Sequence, residues 1–191
     1  MKRIVATFAA LVVLQLAGAA RAQRMQSSHG RSHVLVGLDT EVGVPLGNYA
    51  DVNSVGGGAL VVAEYPMTPV LGLTGRVGFQ MHVDRTINNL GSHVNAIPVL
   101  LGTKYYIGQR NGLFGALELG IFDLMSSAQV PAGRGATTTV TSSDVKFGLG
   151  AGIGFQEDRW NARVSVHSQD VGNFGSAFVI TGGIGYQFAS F

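Results

Sequence analysis

Residues 145–156 alternate without exception between two kinds of side chain. Val145, Phe147, Leu149, Ala151, Ile153 and Phe155 occupy one parity, and Lys146, Gly148, Gly150, Gly152, Gly154 and Gln156 occupy the other. Successive side chains of a β-strand point to opposite faces, so this stretch reads as a strand with one apolar face and one face of glycine and charge. Residues 71–84 repeat the pattern: Leu71, Leu73, Val77, Phe79, Met81 and Val83 oppose Gly72, Thr74, Arg76, Gly78, Gln80, His82 and Asp84. From Val34 to Val44 the same alternation sets Val34, Val36, Leu38, Thr40, Val42 and Val44 against Leu35, Gly37, Asp39, Glu41 and Gly43.

Five weaker segments, 55–65, 94–107, 113–124, 160–169 and 177–188, bring the count to eight. The separators alternate in length. Those at 45–54, 84–93, 125–144 and 170–176 are long and polar, whereas Pro66–Pro69, Gly108–Gly112 and Glu157–Arg159 are short. An even number of strands of roughly 9–11 residues, joined by short turns at one end and longer loops at the other, is the signature of a transmembrane β-barrel. The expected fold is all-β: an eight-stranded antiparallel up-and-down transmembrane barrel over residues 33–191.

Composition decides which face points outward. Of the 191 residues 46% are hydrophobic and only 13% charged, a share of charge about half that of a soluble domain. In a lipocalin-like soluble barrel the large apolar side chains would fill the interior. In a membrane barrel they meet lipid, and the glycines line an interior only wide enough for side chains to fill. Ring closure pairs every backbone N–H and C=O, as the hydrocarbon layer requires. Parity then turns Asp39, Glu41, Glu64 and Glu118 inward together with Arg76, Lys104, Lys146 and Arg163. Unpaired charges in a low-dielectric interior are costly, so these eight are expected to form a salt-bridged plug. The alternative places them at the rims, in water. Tyr65, Tyr105, Tyr106, Trp160, Tyr186 and Phe188 lie near the short-turn ends and are expected to form an aromatic girdle. Pro98 lacks a ladder donor, so a bulge is expected there, or a segment 93–98 that projects above the bilayer.

The first residues read as an export signal. Lys2 and Arg3 precede an apolar stretch from Ile4 to Leu16, and Ala20-Arg21-Ala22 is a small-x-small cleavage pattern. The apolar stretch is shorter than the roughly 20 residues of a spanning helix. Residues 1–22 are thus expected to be removed, leaving residues 23–32 as an amino-terminal arm. The remainder has 10 basic and 11 acidic residues, which argues against a nucleic-acid partner. Cysteine is absent, so disulfides, thiolate metal sites and cysteine nucleophiles are excluded.

Few residues point to chemistry. Gly148-Leu-Gly-Ala-Gly-Ile-Gly154 has a spacing of two and does not open a helix, so it is not a phosphate-binding loop, and no cofactor is expected. His29 and His33 lie four apart without acidic neighbours, a poor metal site, and His93 needs no special role. His82 and His167 fall on the inward face. Ser168 and Asp170 follow His167, but adjacent strand residues face opposite ways, and Ser165 precedes the histidine by two. A nucleophile must reach its base within about 2.6–3.2 Å, so catalysis is not the favoured reading.

Several blocks carry a resemblance: Val42-Gly-Val-Pro-Leu-Gly-Asn-Tyr, Ala63-Glu-Tyr-Pro-Met-Thr, Ile97-Pro-Val-Leu-Leu-Gly-Thr-Lys-Tyr-Tyr, Gly115-Ala-Leu-Glu-Leu-Gly and Gly185-Tyr-Gln-Phe. They resemble the recurring segments of small outer-membrane β-barrel domain proteins of Gram-negative bacteria, of the OmpX and OmpA transmembrane type. The resemblance implies outer-membrane residence, contact with outer-membrane lipid and lipopolysaccharide, and recognition of a terminal aromatic residue by the barrel-assembly machinery. Phe191 is terminal, yet Ile184, Tyr186 and Phe188 share the opposite parity. Either Phe188 ends the paired strand or the tail bulges. The leading functional expectation is a non-enzymatic, charge-plugged barrel with a structural or surface-binding role. Its longest loop, Ser126–Ser143, would offer a site to an extracellular ligand. The alternatives are a narrow pore for small solutes and a lipid-modifying enzyme using His167 or His82.

Overall fold

A computed structural model describes residues 33–191 except 88, 89, 109, 134, 135, 175 and 176. The expected export signal, the arm and His29 lie outside the described residues. Eight strands follow one another: β1 (Leu35–Leu46), β2 (Asn53–Pro66), β3 (Leu71–Ile87), β4 (Leu90–Tyr106), β5 (Gly112–Gly133), β6 (Ala136–Glu157), β7 (Trp160–Ser168) and β8 (Phe178–Ser190). Each pairs antiparallel with the next, and β1 pairs with β8, so the sheet is a closed ring.

The alternation sets which side faces where. Leu117, Ile153 and Val164 are more than half exposed on the outside, while Glu118, Arg163 and Ser165 on the alternate parity are buried inside. A continuous apolar exterior on a ring with no free sheet edge suits a lipid solvent. No helix among the described residues is long and apolar enough to cross a membrane.

One end of the ring carries tight turns. β6 and β7 are joined by Asp158 and Arg159, with Asp158 at φ 48°, a left-handed conformation that aspartate tolerates. The β2–β3 turn is closed by Thr68, whose hydroxyl accepts from the N–H groups of Val70 and Leu71. At the other end α1 (Tyr49–Val52) follows Gly47, which takes φ 57°, and a short 3₁₀ turn, Val171–Asn173, sits between β7 and β8.

Two long separators differ from the sequence reading. Residues 84–93 are mostly strand, with Ile87 opposite Leu90, and residues 125–144 are a two-stranded ladder running from Leu124↔Asp144 to Pro131↔Thr137. Threonine and serine populate both faces of that ladder, so it has no apolar stripe to betray it. It projects beyond the ring: β4 pairs with β5 up to Ala128, and β7 reaches β6 only at Leu149.

Pro98 stays within β4, opposite Phe122 of β5. Toward β3 the ladder runs from Leu71↔Tyr105 to Val77↔Val99, resumes at Gln80↔Ala96 and slips by one residue before Arg85↔Ser92. The two missing pairs fall at Pro98 and Ile97, where proline lacks its donor.

The carboxyl end bulges. Gly37 opposes Gln187 and Val36 opposes Ala189, which leaves Phe188 unpaired. The extra residue restores the phase. Phe191 exchanges two hydrogen bonds with Val34, at 2.9 and 3.0 Å, and faces outward like Ile184.

Candidate functional site: the ionic interior

Inward-facing residues of β3 and β7 converge on Glu118 of β5. Arg163 of β7 grips it with two parallel bonds of 3.0 and 2.9 Å, Arg76 of β3 adds bonds of 3.3 Å, and His167 Nε2 lies 3.0 Å from Oε2. Arg76 also reaches Asp39 at 3.1 Å and Glu41 at 3.3 Å, both on β1. Gln80 donates to Glu41, Gln169 donates to Gln80 at 3.0 Å, and Arg163 Nε donates to Ser165 at 2.8 Å. Every charged member of this cluster is buried. Such charges are tolerated only when their partners are close and well oriented.

A second cluster lies nearer the turn end. Glu64 accepts from Lys104 at 3.1 Å, from the Tyr106 hydroxyl at 2.9 Å, and from Arg110. Lys104 stands 4.7 Å from the Phe114 ring centre, and Arg110 lies 5.3 Å from that of Tyr106.

The glycine run of β6 makes room for this content. A Cβ at Gly150 would collide with the His167 ring, and one at Gly154 with the Phe114 ring. The spacing of two in Gly148–Gly154 is thus the imprint of inward side chains on the neighbouring strands β5 and β7, which lean over β6.

Seven of the eight sequence-selected charges, Asp39, Glu41, Glu64, Arg76, Lys104, Glu118 and Arg163, are buried in these two clusters. Lys146 stands apart. It pairs with Asp144 at 2.9 Å and Asp170 at 3.6 Å, and its side chain is 35% exposed. Parity gave its direction but not its height on a strand that outruns the ring. Arg110, a turn residue without strand parity, completes the Glu64 cluster; only its position within the short turn after β4 hinted at it.

Tyr65, Tyr105, Trp160 and Phe188 are exposed on the outside near the turn end, and Tyr186 is half-buried with its ring 4.7 Å from that of Trp160. Tyr106 is a correction: it is 1% exposed and points into the lumen. Two adjacent strand residues cannot both face lipid, and Tyr105 takes the outward place.

His167 meets a carboxylate rather than a serine, for Ser165 accepts from Arg163 and Ser168 donates to the Asp170 carbonyl at 3.4 Å. His82 contacts the Val94 carbonyl through Nδ1 at 2.8 Å and packs edge-on against Tyr49 at 5.6 Å. Tyr49, Ala177 and Val179 form a buried apolar cluster at the loop end. Among the described residues no group of three His, Asp or Glu side chains is placed to hold a metal ion. Two interior voids of about 10 Å³ flank the Arg76 cluster, each room for about one water, and a vestibule of about 490 Å³ opens at the turn end beside Arg110, Gln156 and Gln187.

A closed ring of eight up-and-down strands, apolar outside and ionic within, is the fold of the small outer-membrane β-barrels. Among solved structures it is similar to Ail, the attachment invasion locus protein of Yersinia pestis, with a TM-score of 0.57 and 14% identity over 83% of this chain and 99% of that one. Ail in complex with the heparin analogue sucrose octasulfate gives 0.56 at the same identity and coverage. Ail in a phospholipid bilayer nanodisc gives 0.50 at 12% identity, over 83% and 100%. At these identities the likeness is one of fold. No protein-family model matches the chain, and no curated protein does.

Proposed function

We propose that the chain is exported through its amino-terminal signal and resides in the outer membrane as a non-catalytic barrel closed to ions, with a structural or surface-recognition role. The observation that carries this reading is the Glu118 cluster, where Arg76, Arg163 and His167 occupy the lumen from facing walls. Tyr49 and Val179 cover it on the loop side. The lumenal histidines engage a carboxylate and a carbonyl, which supports a structural role for both. Short turns would face the periplasm and the projecting β5–β6 ladder the outside, as in outer-membrane barrels generally. The exterior would contact lipid and lipopolysaccharide, and the barrel-assembly machinery would read Phe191. Recording in planar bilayers tests the closed lumen: purified protein is expected to give no single-channel steps. Wild-type steps that vanish or grow in Arg76→Ala would overturn it in favour of a narrow pore.

A further inference from the structure

At the turn end, two buried acceptors stand side by side without a donor among the described residues. Gln156 of β6 lines the vestibule and is 3% exposed, and its Nε2 donates to the Asp158 carbonyl at 3.0 Å. That bond fixes which end of the amide meets the turn and leaves Oε1, the other end, without a partner. Directly opposite on β7 is Asn161, also buried, whose Nδ2 donates to Asp39 at 3.4 Å while Oδ1 is left over. Asn161 lines the small void beneath, which shares Leu35 and Gln187 with the vestibule. Buried polar groups of native folds are almost always paired, so two adjacent orphans mark a place for donors from outside the chain.

The same space carries a spare positive charge. Arg110 and Arg159 line the vestibule against one carboxylate, Asp158, which already accepts from Asn111 at 3.2 Å. Arg110 is committed to Glu64. Arg159 is exposed, and its side chain has no ion pair or hydrogen bond among the described residues. With a volume of about 490 Å³ the vestibule matches a small-molecule site, and Leu35, Pro66 and Tyr106 supply apolar wall between the polar groups.

An anionic oxygen for Arg159 and N–H donors for Gln156 and Asn161 are what the last residues of a peptide offer together. Acetate or phosphate brings the anion without the N–H, and a neutral amide brings the N–H without the anion. We propose that the vestibule binds the carboxyl end of a peptide, with Arg159 on the carboxylate and Gln156 and Asn161 accepting from main-chain N–H groups. That the peptide arrives from the periplasm rests on the orientation proposed above.

N-acetyl-alanyl-alanine is the probe. With residues 23–191 in lipid nanodiscs both ends of the barrel are open to it, so binding is tested apart from orientation. Saturable chemical-shift changes are expected at Gln156, Asn161 and Gln187, with none at Tyr49. The carboxamide of the same dipeptide, and acetate, should each bind at least tenfold more weakly. Arg159→Gln should weaken binding at least fivefold while keeping heat-modifiable migration, and Arg85→Gln, at an exposed position of β3 toward the loop end, should bind like wild type. Preference for the all-L dipeptide assigns a protein terminus and preference for the all-D form a cell-wall peptide; either supports the site. No saturable shift, or equal binding of the carboxamide or of acetate, overturns it. Saturation that appears only once residues 23–32 are deleted assigns the vestibule to the chain's own arm and likewise overturns an outside ligand. On intact cells a membrane-impermeant maleimide should leave Met67→Cys, in the β2–β3 turn, unlabelled. Labelling sinks the orientation alone, and absence of the nanodisc shifts sinks the site.

Discussion

Glu118 is the residue on which the interior depends. It bonds two guanidinium groups at once, and His167 supplies a further contact. Glu118→Ala would leave Arg76 and Arg163 buried with too few acceptors, a loss of about 3–5 kcal/mol. Urea unfolding from lipid vesicles should therefore show a clear fall in midpoint, and Glu118→Gln, which keeps the shape and one acceptor, should fall between. A midpoint unchanged in Glu118→Ala would mean that water, not ion pairing, satisfies the arginines. Parity alone located Asp39, Glu41 and Arg76 in strands of clear alternation, and Glu118 in a weaker one. It could not rank them by height, hence the separate place of Lys146, and it had nothing to say of Arg110. Tyr106 was legible in principle, because the Tyr105-Tyr106 pair forces one ring inward.

At the scale of elements, strands backed by an apolar face were readable and those without one were not. β3 and β5 each continue past their apolar segment into polar residues whose only reason to be strands is the partner strand beside them. The terminal phase was ambiguous for a related reason: a bulge leaves little trace in hydropathy. With Phe188 unpaired, Phe191 shares the outward face. Deleting Phe188 would straighten β8 yet keep Phe191 opposite Val34. Deleting Ser190 would set Phe191 opposite Leu35, whose side chain has the inward parity. Membrane-fraction yield and heat-modifiable migration should survive the first deletion and drop several-fold in the second. Equal yields would mean that the phase of the last aromatic does not matter to assembly.

For the whole molecule, the strand count, the short-turn end and the inside-out distribution of polarity all followed from alternation, because each is set by the lipid solvent. Ring closure and the projecting ladder are separable. Among the described residues, none from Gln129 to Thr139 pairs in the ladders β4–β5 or β6–β7, and the Gln129 side chain accepts one bond from Gly91 of β4 at 3.1 Å. Replacing them by a two-residue Asn-Gly turn between Ala128 and Val140, a cross-strand pair, should leave the unfolding free energy within about 0.5 kcal/mol of wild type, as for surface changes elsewhere. A larger loss by urea titration would assign the ladder a part in holding the ring together.

The Glu118 cluster draws on β1, β3, β5 and β7, and no two of these strands are hydrogen-bonded neighbours. Each ion pair therefore reaches over one intervening strand, β2, β4 or β6, and none of them spans the junction of β1 with β8. That junction is held by the main-chain ladder from Leu35↔Ser190 to Leu46↔Phe178. The ionic interior braces the wall from within, while closing the ring is left to the backbone.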